Sequence, residues 1–437
     1  MSKPDCTDKS AKNNWHSAYI DILREELLLA TGCTEPIAIA YASSILTHVL
    51  GHAPESINIG LSGSIIKNVK SVVVPATGGL HGISAAVAAG VIADSHQLGL
   101  NVLSVLGQQH YDLIKEYMRK TAFKIYDADS KDDFEIDLRG TYLRHTARVH
   151  VLGNHTNVVA VELDGADITD CYIKTHKPPV KHCDHKVLNM KNIVEFAKTV
   201  DLDELRLLLK RQMEVNLAIA EEGLSGDYGA SIGKLLYNGG DCSVRNRARA
   251  YAAAGSDARM SGCEMPVCIV SGSGNQGMTA SLPVIVYAKE MNVSEDALLR
   301  ALIVANLTTI YQKTGIGCLS AYCGAICAGC GSGCGISFLL SGGDYDEIAQ
   351  TLINSVVILS GTICDGAKAS CAAKIAMAVE AGIMGCEMAR AHKNFNAGDG
   401  VVSDDVSCTV NNIGRVASEG MCQTNKTIIQ IMTESDD

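Results

Sequence analysis

Apolar residues recur at helical spacing from Trp15 to Leu50: Ile20, Leu23, Leu27 and Leu28, then Ile37, Ala40, Ile45 and Val49. Gly32 and Pro36 interrupt the run. Pro36 is expected to open a second helix, because its missing N–H costs nothing at the first helical position. Cys33 then sits in the turn ahead of a helix N-terminus, whose partial positive charge favours a thiolate. From about residue 55 the period changes. Ser56-Ile57-Asn58-Ile59 alternates as a strand, and Val69 to Val74 reads as a second short strand. Gly78 to Gly82 is a turn before an Ala-rich helix ending near Asp94. Arg148 to Leu163 reads as a hairpin, with Val149 and Val151 on one arm and Val159, Val161 and Leu163 on the other. Gly153-Asn154 supplies the turn.

Lys174 to Lys186 is polar, contains Pro178-Pro179, and reads as a linker. Its His176, His182, Cys183 and His185 are read as a flexible basic loop in preference to a metal site. After residue 190 the pattern is helical again. Leu202 to Glu222 is strongly periodic, and Ser294 is placed to cap a helix that Lys313 and Gly315 close. The expected fold class is α+β. A polar tail (1–15) precedes a mainly helical domain (16–54 and 190–437), into which a mixed α/β domain (55–175) is inserted; a linker (176–189) joins them.

Only 5% of the residues are aromatic while 47% are apolar, so the core must be built of small aliphatic side chains, which suits closely packed helices. A formal charge of −11 argues against a nucleic-acid surface. The most apolar long stretch, Ile353 to Ile383, carries Asp365, Lys368, Lys374 and Glu380, which argues against a membrane span. The start of the chain shows no apolar signal region. A long chain with an odd count of 17 cysteines fits reduced thiols in a cytoplasm better than a disulfide framework. A homodimer is the default expectation for a cytoplasmic protein.

The cysteines are the candidate chemistry. Cys323, Cys327, Cys330 and Cys334 are spaced 4, 3 and 4 apart, one face of a helix. Such a face runs on the order of 16 Å, too long for one metal cluster, so most of these thiols are expected to be small packing groups. Cys364 and Cys371 are seven apart and share a helix only if it does not break at Gly366. Spacing alone favours two buried cysteines there, with the break expected at Gly366. Ser271 to Gly277 contains G-x-G-x-x-G, which reads either as a dinucleotide fingerprint or as a loop whose amides hold a carboxylate. Ser62-Gly63-Ser64, Lys67-Asn68, Gly153 to Asn157 and Ser256 to Arg259 each read singly as a turn or cap.

Together these segments resemble the L-cysteine desulfidase family, relatives of the iron–sulfur L-serine dehydratases. The resemblance rests on Gly32 to Pro36, Lys67-Asn68, Gly153 to Asn157, Glu222 to Gly226, Ser256 to Met260, Ser271 to Gly277 and Ile363 to Ala367, in order, across residues 20 to 432. It implies a [4Fe–4S] cluster held by Cys323, Cys364 and Cys371, reversing the reading from spacing. Cys318 and Cys327 lie near enough in sequence to compete for the first position. It also implies that Cys33 works at the substrate. Ser62, Lys67, Asn68, His155, Asn157, Arg259, Ser273, Asn275 and Gln276 are the candidates for holding an amino-acid substrate. The implied reaction converts L-cysteine to pyruvate, ammonia and hydrogen sulfide without pyridoxal phosphate. The same scaffold acting on L-serine is the nearest alternative. A dinucleotide oxidoreductase using Gly272, Gly274 and Gly277, and a non-catalytic iron–sulfur storage or sensing protein, stand behind it.

Overall fold

The first helix (α1, Asp8–Glu26) begins inside the polar segment read as a tail. The computed structural model describes residues 8–130, 132, 134–172, 183–317 and 320–434; residues 1–7, the first half of the expected linker with His176 and His182, and Cys318 lie outside them. A short strand follows (β1, Leu29–Thr31), then α2 (Thr34–Leu50). Cys33 is the N-cap of α2 and Gly51 closes it in a left-handed conformation (φ 69°). Pro36 stands at the third helical position instead of the first, where an amide would still lack a helical partner.

The next segment builds a sheet: β2 (Ser56–Leu61), α3 (Gly63–Val69), α4 (Gly82–Ala93), α5 (Tyr111–Lys120), β3 (Ala122–Asp127), β4 (Glu135–Tyr142), β5 (His145–Leu152), β6 (Val158–Leu163) and β7 (Ala166–Asp167), ending in a single helical turn, α6 (Thr169–Tyr172). The strand order is β3-β2-β4-β5-β6-β7. Only β2 and β3 are parallel, the connection between them running through α3, α4 and α5. Ile57, Ile59, Ile136, Leu138, Val149 and Val151 form a core with Ile37, Ile45 and Leu46 of α2. That helix, grouped by periodicity with the helical segments, therefore packs on the sheet. Two sequence expectations need correction here. Val69 ends α3 and Val73 makes only an isolated bridge to His81, so Val69 to Val74 is not a strand. In the hairpin, Val149 pairs with Val161 but Val151 with Val158, because the register shifts at His150/Val151. That shift turns Val159 outward, 40% exposed.

The remaining chain is helical: α7 (Met190–Thr199), α8 (Arg206–Ser225), α9 (Ile232–Asn238), α10 (Val244–Met260), a short strand β8 (Pro266–Cys268), α11 (Gly274–Glu290), α12 (Glu295–Ile316), α13 (Gly324–Ser341), α14 (Tyr345–Ile358), α15 (Ser370–Arg390), α16 (Val406–Arg415) and α17 (Cys422–Glu434). Ser294 caps α12 by accepting from the Ala297 amide at 3.3 Å, as its position predicts. The periodic run from Leu202 forms a helix only from Arg206, after one tight turn.

At the centre lies α13. A Cβ on Gly329 would stand 2.2 Å from the Ala378 carbonyl, and one on Gly331 2.3 Å from the Thr309 hydroxyl. Glycines thus let α12 and α15 close on α13 from two sides. Cys327, Cys330 and Cys334 fill this contact as fully buried packing groups. Among the described residues α13 alone has the length and mean hydropathy of a membrane span, 18 residues at 1.4, yet 78% of it is buried inside the protein. The architecture is a mainly helical α+β fold.

Candidate active site

Two short contacts bring distant cysteines together. Tyr322 and Ile363 form an antiparallel bridge: the Cys323 amide donates to the Thr362 carbonyl at 3.0 Å, and the Cys364 amide to the Ala321 carbonyl at 2.6 Å. Cys323 is the N-cap of α13. Between α14 and α15 the chain is not helical, and Gly366 takes a left-handed conformation (φ 95°), so the break expected there is present. A Cβ on Gly366 would lie 2.2 Å from the Lys67 carbonyl, so this turn presses directly on α3. Cys371 opens α15, its amide donating to the Lys368 carbonyl at 2.9 Å.

Strands β1 and β8 close the other side. Leu29 pairs with Cys268 and Thr31 with Pro266, which sets the Cys33 turn beside the loop that begins α11. Arg259 locks the two: its Nη2 donates to the Gly32 carbonyl at 2.9 Å and its Nη1 to Asn275 Oδ1 at 3.3 Å. Gly274 must be glycine, since a Cβ would meet the Arg259 Nε at 2.5 Å.

The result is one cavity of about 130 Å³ lined by Cys33, Glu35, Asn68, Arg259, Ser273, Asn275, Gln276, Cys323, Cys364 and Cys371, together with Lys313, Ser320 and Tyr322. Arg259 Nε, Gln276 Oε1 and the Tyr322 hydroxyl are buried and find no hydrogen-bond partner among the described residues. Three polar groups without partners around one hollow are the signature of a place that receives polar atoms from elsewhere.

Burial pushes the Cys33 thiol up to about 11; the Arg259 cation pulls the other way and is outweighed. The thiolate expected from the helix N-terminus is therefore not favoured in the protein alone, because desolvation exceeds the helix-end effect. Burial likewise raises Cys323 to about 12, with Cys364 and Cys371 adding to the effect, and raises Cys371, with Cys364 adding. These three thiols sense one another. Behind them Lys374 Nζ donates to the Ile363 carbonyl at 2.8 Å and to Asp365 at 2.6 Å. Although burial favours its neutral form, Asp365 is held at about 2 by Lys368 and Lys374.

Four candidates lie elsewhere. Ser62 caps α3, its hydroxyl accepting from the Glu135 amide at 3.2 Å. Lys67 is buried just outside the lining, donating to Asn425 Oδ1 at 2.7 Å and to the carbonyl of the lining residue Ser320 at 3.3 Å. Through these bonds it braces the wall and α17. Asn157 is an exposed turn residue donating to the Leu152 carbonyl at 2.8 Å. His155 packs against Phe134 at 4.7 Å, outside the lining. Burial lowers its pKa, with the Glu35 charge opposing. Turn chemistry accounts for Asn157, whereas His155 Nε2 is buried without a hydrogen-bond partner among the described residues.

Glu35 is the lining residue that sequence reasoning passed over. Its carboxylate accepts from Asn68 Nδ2 at 3.3 Å and from the Thr34 hydroxyl at 3.3 Å. Its place two residues after Cys33, on the first turn of α2, was the available signal. Tyr322 and Ser320 had none, because they enter only through the bridge at Tyr322; Lys313 enters from the last turn of α12. The G-x-G-x-x-G run does not lie in a dinucleotide fold: β8 is three residues long and pairs antiparallel with β1, not within a parallel sheet. A Cβ on Gly277 would meet the Cys268 carbonyl at 1.9 Å, so its glycines seat α11 on β8 and Arg259.

Comparison with known proteins places this arrangement in context. Residues 97–430 match the family described as serine dehydratase alpha chain. A UPF0597 protein of Desulfitobacterium hafniense is 48% identical over 426 residues, covering 96% of this chain and 97% of the relative. One from Treponema denticola is 43% identical over 422 residues, covering 95% and 98%, and one from Oleidesulfovibrio alaskensis is 35% identical over 430 residues, covering 96% and 98%.

Proposed function

Because the chain belongs to the serine dehydratase alpha-chain family, we propose that it is a lyase converting L-cysteine and water to pyruvate, ammonia and hydrogen sulfide. The observation that carries this reading is the meeting of Cys323, Cys364 and Cys371 with Cys33 and Arg259 around one small cavity.

The donor set fits a [4Fe–4S] cluster. Three thiols, from the α13 cap, the turn before α15 and the first turn of α15, face one hollow; burial raises Cys323 and Cys371, with the Cys364 sulfur adding to both, an arrangement that a cation relieves. Cys323, Cys364 and Cys371 would hold the group, and Cys318 lies outside the described residues. When bound, it supplies a Lewis-acidic iron suited to a soft sulfur leaving group.

The chain's own residues do the rest. Arg259 and the first amides of α11 bind the substrate carboxylate, with Ser273, Asn275 and Gln276 fixing its orientation. The carboxylate of Glu35, oriented by Asn68, receives the amine. Cys33 holds the position from which the Cα proton is taken, and Arg259 is the cation that favours its thiolate. Loss of the Cα proton and cleavage of Cβ–S release sulfide and leave aminoacrylate. This tautomerises to an imine that water hydrolyses to pyruvate and ammonia.

L-serine on the same scaffold is the second reading, favoured by the name of the matching family. Anaerobically purified protein incubated with each amino acid separates them by the sulfide and pyruvate released. Sulfide and pyruvate in equal amounts from L-cysteine support the proposal. Pyruvate from L-serine alone transfers the activity to the second reading. Iron without turnover of either amino acid leaves a storage or sensing role.

A further inference from the structure

At the end of α2 remote from Cys33, three metal-binding side chains converge. His48 stands in the last turn of α2. Asp94 caps α4 in a left-handed conformation (φ 39°, ψ 47°), and His96 follows it. One ligand atom from each of the three lies within 4.8 Å of the other two. The His48 and His96 rings are 4.4 Å apart, and Tyr172 packs at 6.0 Å from both. His48 lies fifteen positions after Cys33, roughly 22 Å along a helix.

We propose that His48, Asp94 and His96 form a binding site for a divalent transition-metal ion of the zinc class, separate from the cysteine-lined cavity. Two imidazoles and a carboxylate are a donor set that such ions accept, whereas the cavity offers thiols. Zinc bonds of about 2.0–2.2 Å in a tetrahedron put ligand atoms roughly 3.4 Å apart. The side chains must therefore close by little more than an ångström, and His48 and Asp94 are exposed. The electrostatics agree, because the site sits where α2 and α4 both end, and the carbonyl ends of helices favour cations. Three protein ligands leave a position for water. The bound ion would tie the end of α2 to the end of α4.

The cofactor-loaded protein, freed of loosely held metal by dialysis against a chelator, would be titrated with Zn2+ by calorimetry beside His48→Gln, Asp94→Asn and His96→Gln. Asparagine tolerates the left-handed cap, so Asp94→Asn keeps the local fold. The wild type is expected to bind one more equivalent of Zn2+ than each variant, and to gain a higher unfolding midpoint on adding Zn2+ that the variants do not gain. Co2+ in place of Zn2+ should give a visible spectrum without thiolate charge transfer at the added equivalent. Equal stoichiometry in all four proteins, or a thiolate spectrum for that equivalent, would overturn the proposal.

Discussion

The guanidinium of Arg259 donates to the backbone carbonyl of Gly32 at 2.9 Å while its other terminal nitrogen reaches Asn275. One side chain from α10 thus fixes both the turn carrying Cys33 and the start of α11. Its Nε remains without a partner among the described residues. Arg259→Lys keeps the charge but cannot span both partners. Losing a charge-assisted hydrogen bond costs about 1.5–3 kcal/mol, so kcat/KM for the amino acid should fall roughly 10- to 100-fold. Steady-state kinetics on the iron-loaded protein checks this; an unchanged kcat/KM removes Arg259 from substrate binding.

Cys323 and Cys334 lie on the same helix but in different surroundings. Cys334→Ala deletes one buried sulfur and should cost about 1 kcal/mol of stability with the iron content unaltered. Cys323→Ala should abolish iron retention. Iron and acid-labile sulfide analysis of the two variants distinguishes them. Equal iron loss in both would mean that the face of α13 contributes more than its cap.

Cys33→Ala is expected to retain iron and lose turnover. Iron analysis beside a pyruvate assay checks both halves. Should iron leave with the thiol, Cys33 is a ligand and the proton must be taken by another group, with Glu35 the nearest carboxylate in the lining.

Gly366→Ala places a Cβ against the Lys67 carbonyl in a left-handed turn. The conformational penalty alone is about 1–2 kcal/mol. Because this turn sits between Cys364 and Cys371, the variant should hold less iron as well as unfold at lower temperature. Normal iron content in a destabilised variant would show that the turn can shift without disturbing the two thiols.

Far from the cavity, Asp137 is buried in the sheet, which favours its neutral form, but the Arg148 guanidinium at 2.8 Å outweighs burial and lowers its pKa. A depressed carboxylate contributes stability that is fully present above its unfolded value of about 3.9 and is lost as pH falls through the folded one. Urea midpoints measured from pH 5 downward should therefore drop more steeply in the wild type than in Arg148→Met. Parallel curves would mean that the pair does not couple to folding.

Much of the local structure was legible because local rules decide it. The cap at Ser294, the break at Gly366 and the one-faced cysteines of α13 follow from spacing and backbone chemistry. The cavity was not legible in the same way. Cys323 and Cys364 meet through a bridge of single residues, Tyr322 and Ile363, too short to leave an alternating pattern. Lys67 carried the right chemistry in the right neighbourhood, yet its ammonium points at Asn425, and only the packing of α17 on α3 shows this. Val159 was misread because a bulge changes which face a residue occupies without changing the sequence pattern.

That same contact between Lys67 and Asn425 bears on how the protein is made. A pocket whose wall is braced from residue 67 and residue 425 cannot be finished while the last helix is still within the ribosome. Early segments such as the sheet can collapse during synthesis, but the hollow among them stays incomplete until α17 has emerged. Loading of any inorganic group then waits on α17, and a chain truncated before it should emerge folded in part and unable to keep the group.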